Sequence, residues 1–148
     1  MSHNVKLNIY TDGGARGNPG PAAIAFVVTD ERENILKEFG KTIGNATNNI
    51  AEYFAVVEAL SWIKNNFDQP INKINFFLDS QLAVNQLNGF YKIKNCFLRE
   101  AILKIKILEV EIKNKTGGEI FYHLIPREKN CLADKLVNSS LDRESRIL

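Results

Sequence analysis

The order of the apolar segments constrains the fold of this chain most strongly. Three segments of strand-like composition come first, and short polar or glycine-rich links join them, as in an antiparallel meander. Two further strand-like segments follow, and the chain reaches each of them through a helical segment. A strand reached through a helix favours parallel pairing with a right-handed crossover. The sequence therefore predicts an α/β fold with a five-stranded mixed sheet and helices on both faces.

Periodicity and turn signals set the predicted boundaries. The predicted strands span residues 5–10, 22–29, 35–43, 74–78 and 119–125, and the first of them stops at Asp12-Gly13-Gly14. The predicted helices run from a cap at Thr47 or Asn48 to about 66, over 81–87 and 96–113, and from 131 to about 142. We expect residues 1–148 to form one domain, with Trp62 in its core and residues 143–148 as a frayed tail.

Composition and the N-terminal segment indicate a soluble, cytoplasmic protein. With 45% apolar and 24% charged residues, the chain has an ordinary globular composition, and no apolar run is long enough to span a bilayer. Residues 1–6 lack the apolar core of a secretory signal. Cys96 and Cys131 form neither a CxxC pair nor a zinc spacing, so we expect reduced cysteines near the core. No oligomerisation signal is evident, and a monomer that does not bind membranes is expected.

Four carboxylates occupy the positions where an α/β fold gathers functional groups. Asp12 and Asp79 end predicted strands, whereas Glu52 and Asp134 lie about one turn into predicted helices. Each one alone is an ordinary residue of a turn or a helix start. Four together repel one another unless a cation neutralises them, and oxygen-only ligation favours Mg²⁺ or Mn²⁺ over zinc. Two such ions about 4 Å apart can flank a phosphodiester, which predicts a catalytic two-metal site.

Five short strings then carry a family resemblance: Thr11-Asp12-Gly13-Gly14, Gly17-Asn18-Pro19-Gly20-Pro21, Thr47-Asn48-Asn49-x-Ala51-Glu52, Asp79-Ser80-Gln81 and Ala133-Asp134. In order and spacing they resemble type 1 ribonuclease H over nearly the whole chain. The resemblance implies a ribonuclease H-like fold and endonucleolytic hydrolysis of the RNA strand of RNA–DNA hybrids by two Mg²⁺ ions. The implied products are 5′-phosphate and 3′-hydroxyl ends, and Mn²⁺ is expected to substitute. The metal-ligand role passes to Asp12, Glu52, Asp79 and Asp134.

An enzyme that acts on hybrids must sense 2′-hydroxyls, and short amides can donate to them and accept from them. The candidates are Asn18, Asn48, Asn49 and Gln81, of which the resemblance supports the last three for RNA. The resemblance also implies that Thr47 binds a phosphate of the DNA strand. Gly13 and Gly14 would let the backbone approach RNA closely. Capping and turn formation are the alternative roles for Asn18 and Asn48.

Many members of the resembled family insert a basic helix and loop before the long helix, and this chain lacks that insertion. Residues 88–95 lead directly into the long helix, as in the compact subgroup. The stretch Lys92 to Lys115 carries seven basic and three acidic groups. We expect Lys92 and Lys94 to contact DNA phosphates with modest, salt-dependent affinity; a solvated link is the alternative.

The family often has a histidine in the loop before the last helix, whereas this loop, residues 126–130, has none. Arg127 takes that place and is a candidate catalytic residue. It cannot act as a base because it stays charged, but it can hold the scissile phosphate or the departing product. A plain surface arginine is the alternative. His123 lies in a predicted strand and is expected to be structural.

Other functions fit the sequence less well. A proofreading-type 3′–5′ exonuclease carries a second carboxylate two residues after the first aspartate, where this chain has Gly14. A phosphate-cradling ATPase would need a GxxxxGK string, which is absent. A hybrid-binding module without catalysis is disfavoured because four carboxylates weaken binding to a polyanion unless metal occupies them.

Overall fold

The structure is a computed structural model that describes residues 5–89 and 95–147, without the side chains of the last two. Its five strands are β1 (Lys6–Ala15), β2 (Gly20–Thr29), β3 (Ile35–Ala46), β4 (Lys73–Leu78) and β5 (Glu119–Leu124). They form one sheet in the order β3-β2-β1-β4-β5. β1, β2 and β3 pair antiparallel, while β4 pairs parallel with both β1 and β5. The predicted mixed sheet is confirmed.

Within the described residues the helices are α1 (Asn48–Asn66), α2 (Gln81–Leu87), α3 (Cys96–Thr116) and α4 (Cys131–Ile147), with a 3₁₀ turn at Arg127–Lys129. Side-chain caps explain where three of them begin. Thr47 accepts from the Ile50 amide, Ser80 from the Ala83 amide, and Asn95 from the amides of Phe97 and Leu98. α3 ends at Gly117, whose φ of 77° suits the left-handed conformation that closes a helix.

The structure corrects three sequence-based expectations. β1 does not stop at Asp12 but pairs with β2 as far as Ala15, because the two glycines lie inside the strand. α4 continues to Ile147, so residues 143–147 are helical rather than frayed. Cys96 and Cys131 are unpaired, as expected, but both are exposed, because each is the first residue of a helix.

The two faces of the sheet carry different side chains. Alternating residues of β1 and β4 are buried, and they form one cluster with α1 and α3. Trp62 of α1 joins this cluster and packs against Phe26 and Phe67, as predicted. On the opposite face α4 covers β1, β2 and β3 through a cluster of small and medium side chains: Ala23, Ala25, Ala133, Val137 and Leu141. Helices therefore lie on both faces.

On the α4 side of the sheet, β1, β4 and β5 carry a row of half-exposed rings. Tyr10, Phe77 and His123 stack in succession across the three strands. Asn75 Oδ1 accepts from His123 Nε2 over 2.9 Å, and the Asn75 amide group donates to Asn8 Oδ1 over 3.3 Å. These contacts hold His123 within the sheet, which supports the expected structural role. No helix of the described residues is long and apolar enough to cross a bilayer.

Candidate active site

The pairing of β1 with β4 brings two carboxylates to one edge of the sheet. The last paired positions of these parallel strands are Tyr10 and Phe77, and Asp12 and Asp79 each lie two residues further on. The predicted convergence of the two aspartates is therefore what the strand register produces. Both side chains are partly buried.

Glu52 joins them because α1 lies unusually close to β1. A Cβ added to Gly13 would lie 2.3 Å from the Ala51 carbonyl carbon and 2.6 Å from the Glu52 amide nitrogen. Glycine at position 13 thus lets the helix backbone approach the strand. The space beside Gly13 is filled by α1, and the residue is buried, so little of its backbone is accessible. Both glycines line a pocket whose wall includes the four carboxylates, which we call the acidic pocket, and Gly14 is partly exposed there.

One carboxylate oxygen from each of Asp12, Glu52 and Asp79 lies within 4.8 Å of the others. Asp134, in the first turn of α4, is outside this group of three but lines the same pocket of about 390 Å³. The Asn138 side chain donates to the Asp134 backbone oxygen over 3.1 Å and to Asp134 Oδ2 over 3.4 Å. The structure thus clusters three of the four carboxylates. Asp134 lines the same pocket without joining that cluster.

Burial and mutual repulsion act strongly on this group. The pKa of Asp12 is raised to about 8 by burial, the largest cause, together with the charges of Asp79, Asp134 and Glu52, while a hydrogen bond at Gly13 acts in the opposite direction. Burial also raises the pKa of Glu52 to about 7, although a Ser80 hydrogen bond and Arg127 act in the opposite direction. Without a cation, the site therefore holds protons at neutral pH.

The donor set fits a hard divalent cation. Glu52 Oε2 is buried without a hydrogen-bond partner, which is costly unless another ligand satisfies it. The clustered atoms are all carboxylate oxygens, the ligands that Mg²⁺ and Mn²⁺ prefer. Asp12, Glu52 and Asp79 are the residues that would hold such an ion, with Asp134 beside them.

Arg127 lies where the sequence places it, next to the carboxylates. It begins the 3₁₀ turn before α4, is exposed, and lines the acidic pocket. Its charge is close enough to lower the pKa of Glu52.

Asn18 and Asn48 tie the β1–β2 link to the start of α1. Asn48 Oδ1 accepts from the Ala15 amide over 2.8 Å, and Asn18 Oδ1 accepts from the Asn48 amide over 3.0 Å. Their carbonyl oxygens thus accept hydrogen bonds within the protein, although Thr47 rather than Asn48 caps α1. Donation by their amide groups remains open to a substrate.

The other predicted substrate contacts lie around the pocket rather than in its wall. Thr47 caps α1, Asn49 is in the first turn of α1, and Gln81 is the first residue of α2. None of these three is among the described residues that line the pocket. Lys92 and Lys94 fall outside the described residues.

Asn130 contacts the carboxylate cluster, and the sequence did not reveal it. It is buried, and its amide donates to the Thr11 carbonyl over 2.8 Å and to Asp79 Oδ2 over 3.0 Å. A short amide directly before a helix is a capping signal, so the sequence alone gives no reason to connect it with Asp79. Ser80, which caps α2, also forms a hydrogen bond with Glu52 that could not be expected from the sequence.

The family model of RNase H matches residues 4–140 of this chain. The chain belongs to the RNase H family. Ribonuclease HI of Halobacterium salinarum is 36% identical over 137 residues, covering 93% of this chain and 65% of that protein. LC11-RNase H1, solved in complex with an RNA/DNA hybrid, is 42% identical with a TM-score of 0.86, covering 93% of this chain and 98% of that one.

Some RNase H relatives are much longer than this chain. A bifunctional protein of Mycobacterium tuberculosis is 34% identical over 139 residues, and the match covers 93% of this chain. This chain spans only 36% of that relative's length.

Proposed function

We propose that this protein is an endoribonuclease that hydrolyses the RNA strand of RNA–DNA hybrids in a metal-dependent reaction. The observation that carries the proposal is the cluster of Asp12, Glu52 and Asp79 oxygens at the sheet edge. Membership of the RNase H family and the similarity to LC11-RNase H1, which binds an RNA/DNA hybrid, support the substrate. The expected products are 5′-phosphate and 3′-hydroxyl ends.

The proposed cofactor is a pair of Mg²⁺ ions, for which Mn²⁺ substitutes. Asp12, Glu52, Asp79 and Asp134 are the proposed ligands. Ions bound there would supply an activated water and neutralise charge on the leaving oxygen, which is the chemistry of two-metal phosphodiester hydrolysis.

The protein's own contribution is to hold these carboxylates in place before substrate arrives. Asn130 fixes one oxygen of Asp79, and Ser80 restrains Glu52. Asn138 restrains Asp134 through a longer contact. Groups positioned in advance need not reorganise as charge develops in the reaction, and this lowers the barrier.

Arg127 is the proposed partner of the scissile phosphate or of the departing product. Its place in the pocket wall and its permanent charge support this role. Because it stays charged, its contribution would be electrostatic attraction and hydrogen-bond donation rather than proton transfer.

Recognition of the hybrid is proposed to involve groups around the pocket. The amide groups of Asn18 and Asn48 are the donors suited to 2′-hydroxyls, and the remaining proposed contacts are Gly13, Gly14, Asn49 and Gln81 for RNA and Thr47, Lys92 and Lys94 for the DNA strand. Of the glycines, Gly14 is the better supported because it is partly exposed.

We further propose that residues 1–148 fold as one domain, that this domain is monomeric, and that it is located in the cytoplasm. Two free, exposed cysteines are compatible with a reducing compartment.

The decisive experiment incubates end-labelled RNA–DNA hybrid with the protein and Mg²⁺, with and without chelator. Duplex RNA and duplex DNA serve as controls. We expect internal cleavage of the RNA strand only when metal is present. Binding without metal-dependent cleavage would instead indicate a binding module, and a ladder shortening from the 3′ end would indicate an exonuclease.

A further inference from the structure

Two of the described residues in the acidic pocket wall are cationic, Arg127 and Arg16. The charge of Arg127 acts to lower the pKa of Glu52. Arg16 lies at the start of the β1–β2 link, and its guanidinium contacts Asp142 of α4 over 2.6 Å. The proposed function gives Arg127 a role and leaves Arg16 without one.

The backbone of Arg16 is held firmly. Its amide donates to the Pro21 carbonyl over 2.8 Å, and a Cβ on Gly20 would lie 2.1 Å from the Arg16 carbonyl oxygen. The link is therefore folded tightly on itself. A fixed backbone with a long side chain lets the guanidinium change partners without moving the loop.

The partner of Arg16 lies along the face of α4 that forms the pocket wall. Asp134, Asn138 and Asp142 recur at steps of four residues, so they share one side of the helix. Asp142 is about 12 Å along the helix axis from Asp134. A strand whose scissile phosphate reaches the carboxylates would thus bring a different phosphate towards Arg16.

The contact between Arg16 and Asp142 is easily broken. The two side chains are 45% and 53% exposed, and exposed ion pairs contribute little to stability. A phosphate offers the guanidinium the same paired geometry that a carboxylate does, with a stronger field from a polyanion.

We propose that Arg16 binds a backbone phosphate of the nucleic acid and exchanges Asp142 for it when substrate enters. This inference rests on the proposed function, because it concerns how the same pocket receives its substrate. In the free protein the Arg16 guanidinium is paired with Asp142, and this pairing keeps it away from the clustered carboxylates of the pocket. In the complex a backbone phosphate displaces Asp142 from Arg16. This phosphate lies near the scissile phosphate but is not the one that is cleaved.

The test is steady-state cleavage of the hybrid in Mg²⁺ at several salt concentrations. Arg16→Ala should raise KM about fivefold and leave kcat within about twofold of wild type. The slope of log KM against log salt should fall by roughly 0.7 to 0.9, as expected for one lost phosphate contact. Arg16→Lys should keep the slope and recover only part of the affinity, because lysine lacks the paired donors.

Exchange is tested by combining the partners. Asp142→Asn should lower KM, and this gain should largely disappear in the Arg16→Ala background, because the gain comes from a freed arginine. Lys41 and Glu58 form a matched control pair over 2.9 Å with 46% and 37% exposure, and neither lines the pocket. Lys41→Ala and Glu58→Gln should leave KM and its salt slope unchanged.

The inference is overturned if Arg16→Ala keeps the wild-type KM and salt slope, or if it lowers kcat with KM unchanged. An equal effect of Asp142→Asn in both backgrounds would also overturn it, since Asp142 would then merely repel substrate. A wild-type protein without metal-dependent cleavage of hybrid would refute the proposed function instead, so the two failures are distinguishable.

Discussion

Neighbouring residues of β1 and β4 lie on opposite faces of the sheet, in different environments. Ile9 and Phe76 are fully buried against α1 and α3, where apolar packing satisfies them completely. Asp12 and Phe77, on the other side of the same strands, are only partly buried, and Asp12 carries a strongly raised pKa. The alternation of a strand thus separates the residues that stabilise the fold from those proposed to do chemistry.

This difference implies that stability and activity can be changed independently, even by substitutions within one strand. The core face should respond to loss of volume. The acidic edge should respond to charge, and removing charge there should cost activity while relieving repulsion.

The largest expected effect is that of Asp12→Asn. Loss of a proposed metal ligand should lower kcat by about three orders of magnitude, roughly 4 kcal/mol of transition-state stabilisation. The fold should remain intact, as circular dichroism would show. Asp68→Asn, the same change at an exposed residue that pairs with Lys115, should keep wild-type activity.

The same variant should be more stable than wild type when metal is absent. Because the pKa of Asp12 is raised to about 8, the folded protein retains a proton that the unfolded chain releases near pH 4. Wild-type stability in chelator should therefore fall as the pH rises from about 4 to 8, and the amide variant should lack this contribution. A Tm at pH 8 equal to or below that of wild type would contradict the assigned electrostatics.

Next in size is the contrast between Phe76→Ala and Phe77→Ala. Removing the buried ring should lower the free energy of unfolding by about 3–5 kcal/mol, with kcat per folded molecule unchanged. Removing its half-exposed neighbour should cost less than half as much. Urea denaturation with activity measured on the same samples tests this; equal losses would show that the two faces are not distinct.

Asn130→Ala should have an intermediate effect. Without the buried amide, Asp79 loses a fixed hydrogen bond, and the apparent metal affinity or kcat should fall about 10- to 100-fold. The Mg²⁺ concentration for half-maximal activity measures this. Asn138→Ala, which removes a longer and exposed contact to Asp134, should have a smaller effect. The reverse order would mean that Asp134 is the more sensitive ligand.

The smallest expected effect is that of Arg127→Ala. If Arg127 attracts the scissile phosphate or the departing product, kcat should fall about three- to tenfold, more than KM rises. Single-turnover and steady-state rates would separate chemistry from product release. An unchanged kcat would return Arg127 to the surface.

Sequence reasoning predicted the sheet because period and element order determine it locally. The parallel pairing of β1 and β4 followed from the intervening helix, and it placed Asp12 and Asp79 on one edge. The predicted end of β1 was wrong because a glycine at position 13 suggests a break in the strand. In the structure Gly13 instead lets α1 pack closely against β1. That contact joins distant parts of the chain and leaves no local signal.

The same reason explains why the supporting residues were missed. Asn130 bonds Asp79 across 51 positions, and Arg16 bonds Asp142 across 126. Side-chain type and spacing predict which groups are reactive. Only the fold shows which neutral or cationic neighbours hold those groups in position.

The location of Trp62 makes it a selective optical probe. It is the single tryptophan of the chain, and it packs on Phe26 and Phe67 rather than in the pocket wall. Its fluorescence should therefore follow global denaturation while remaining nearly silent when ions or nucleic acid are added. Emission spectroscopy could thus monitor folding in the very titrations that examine ligand binding.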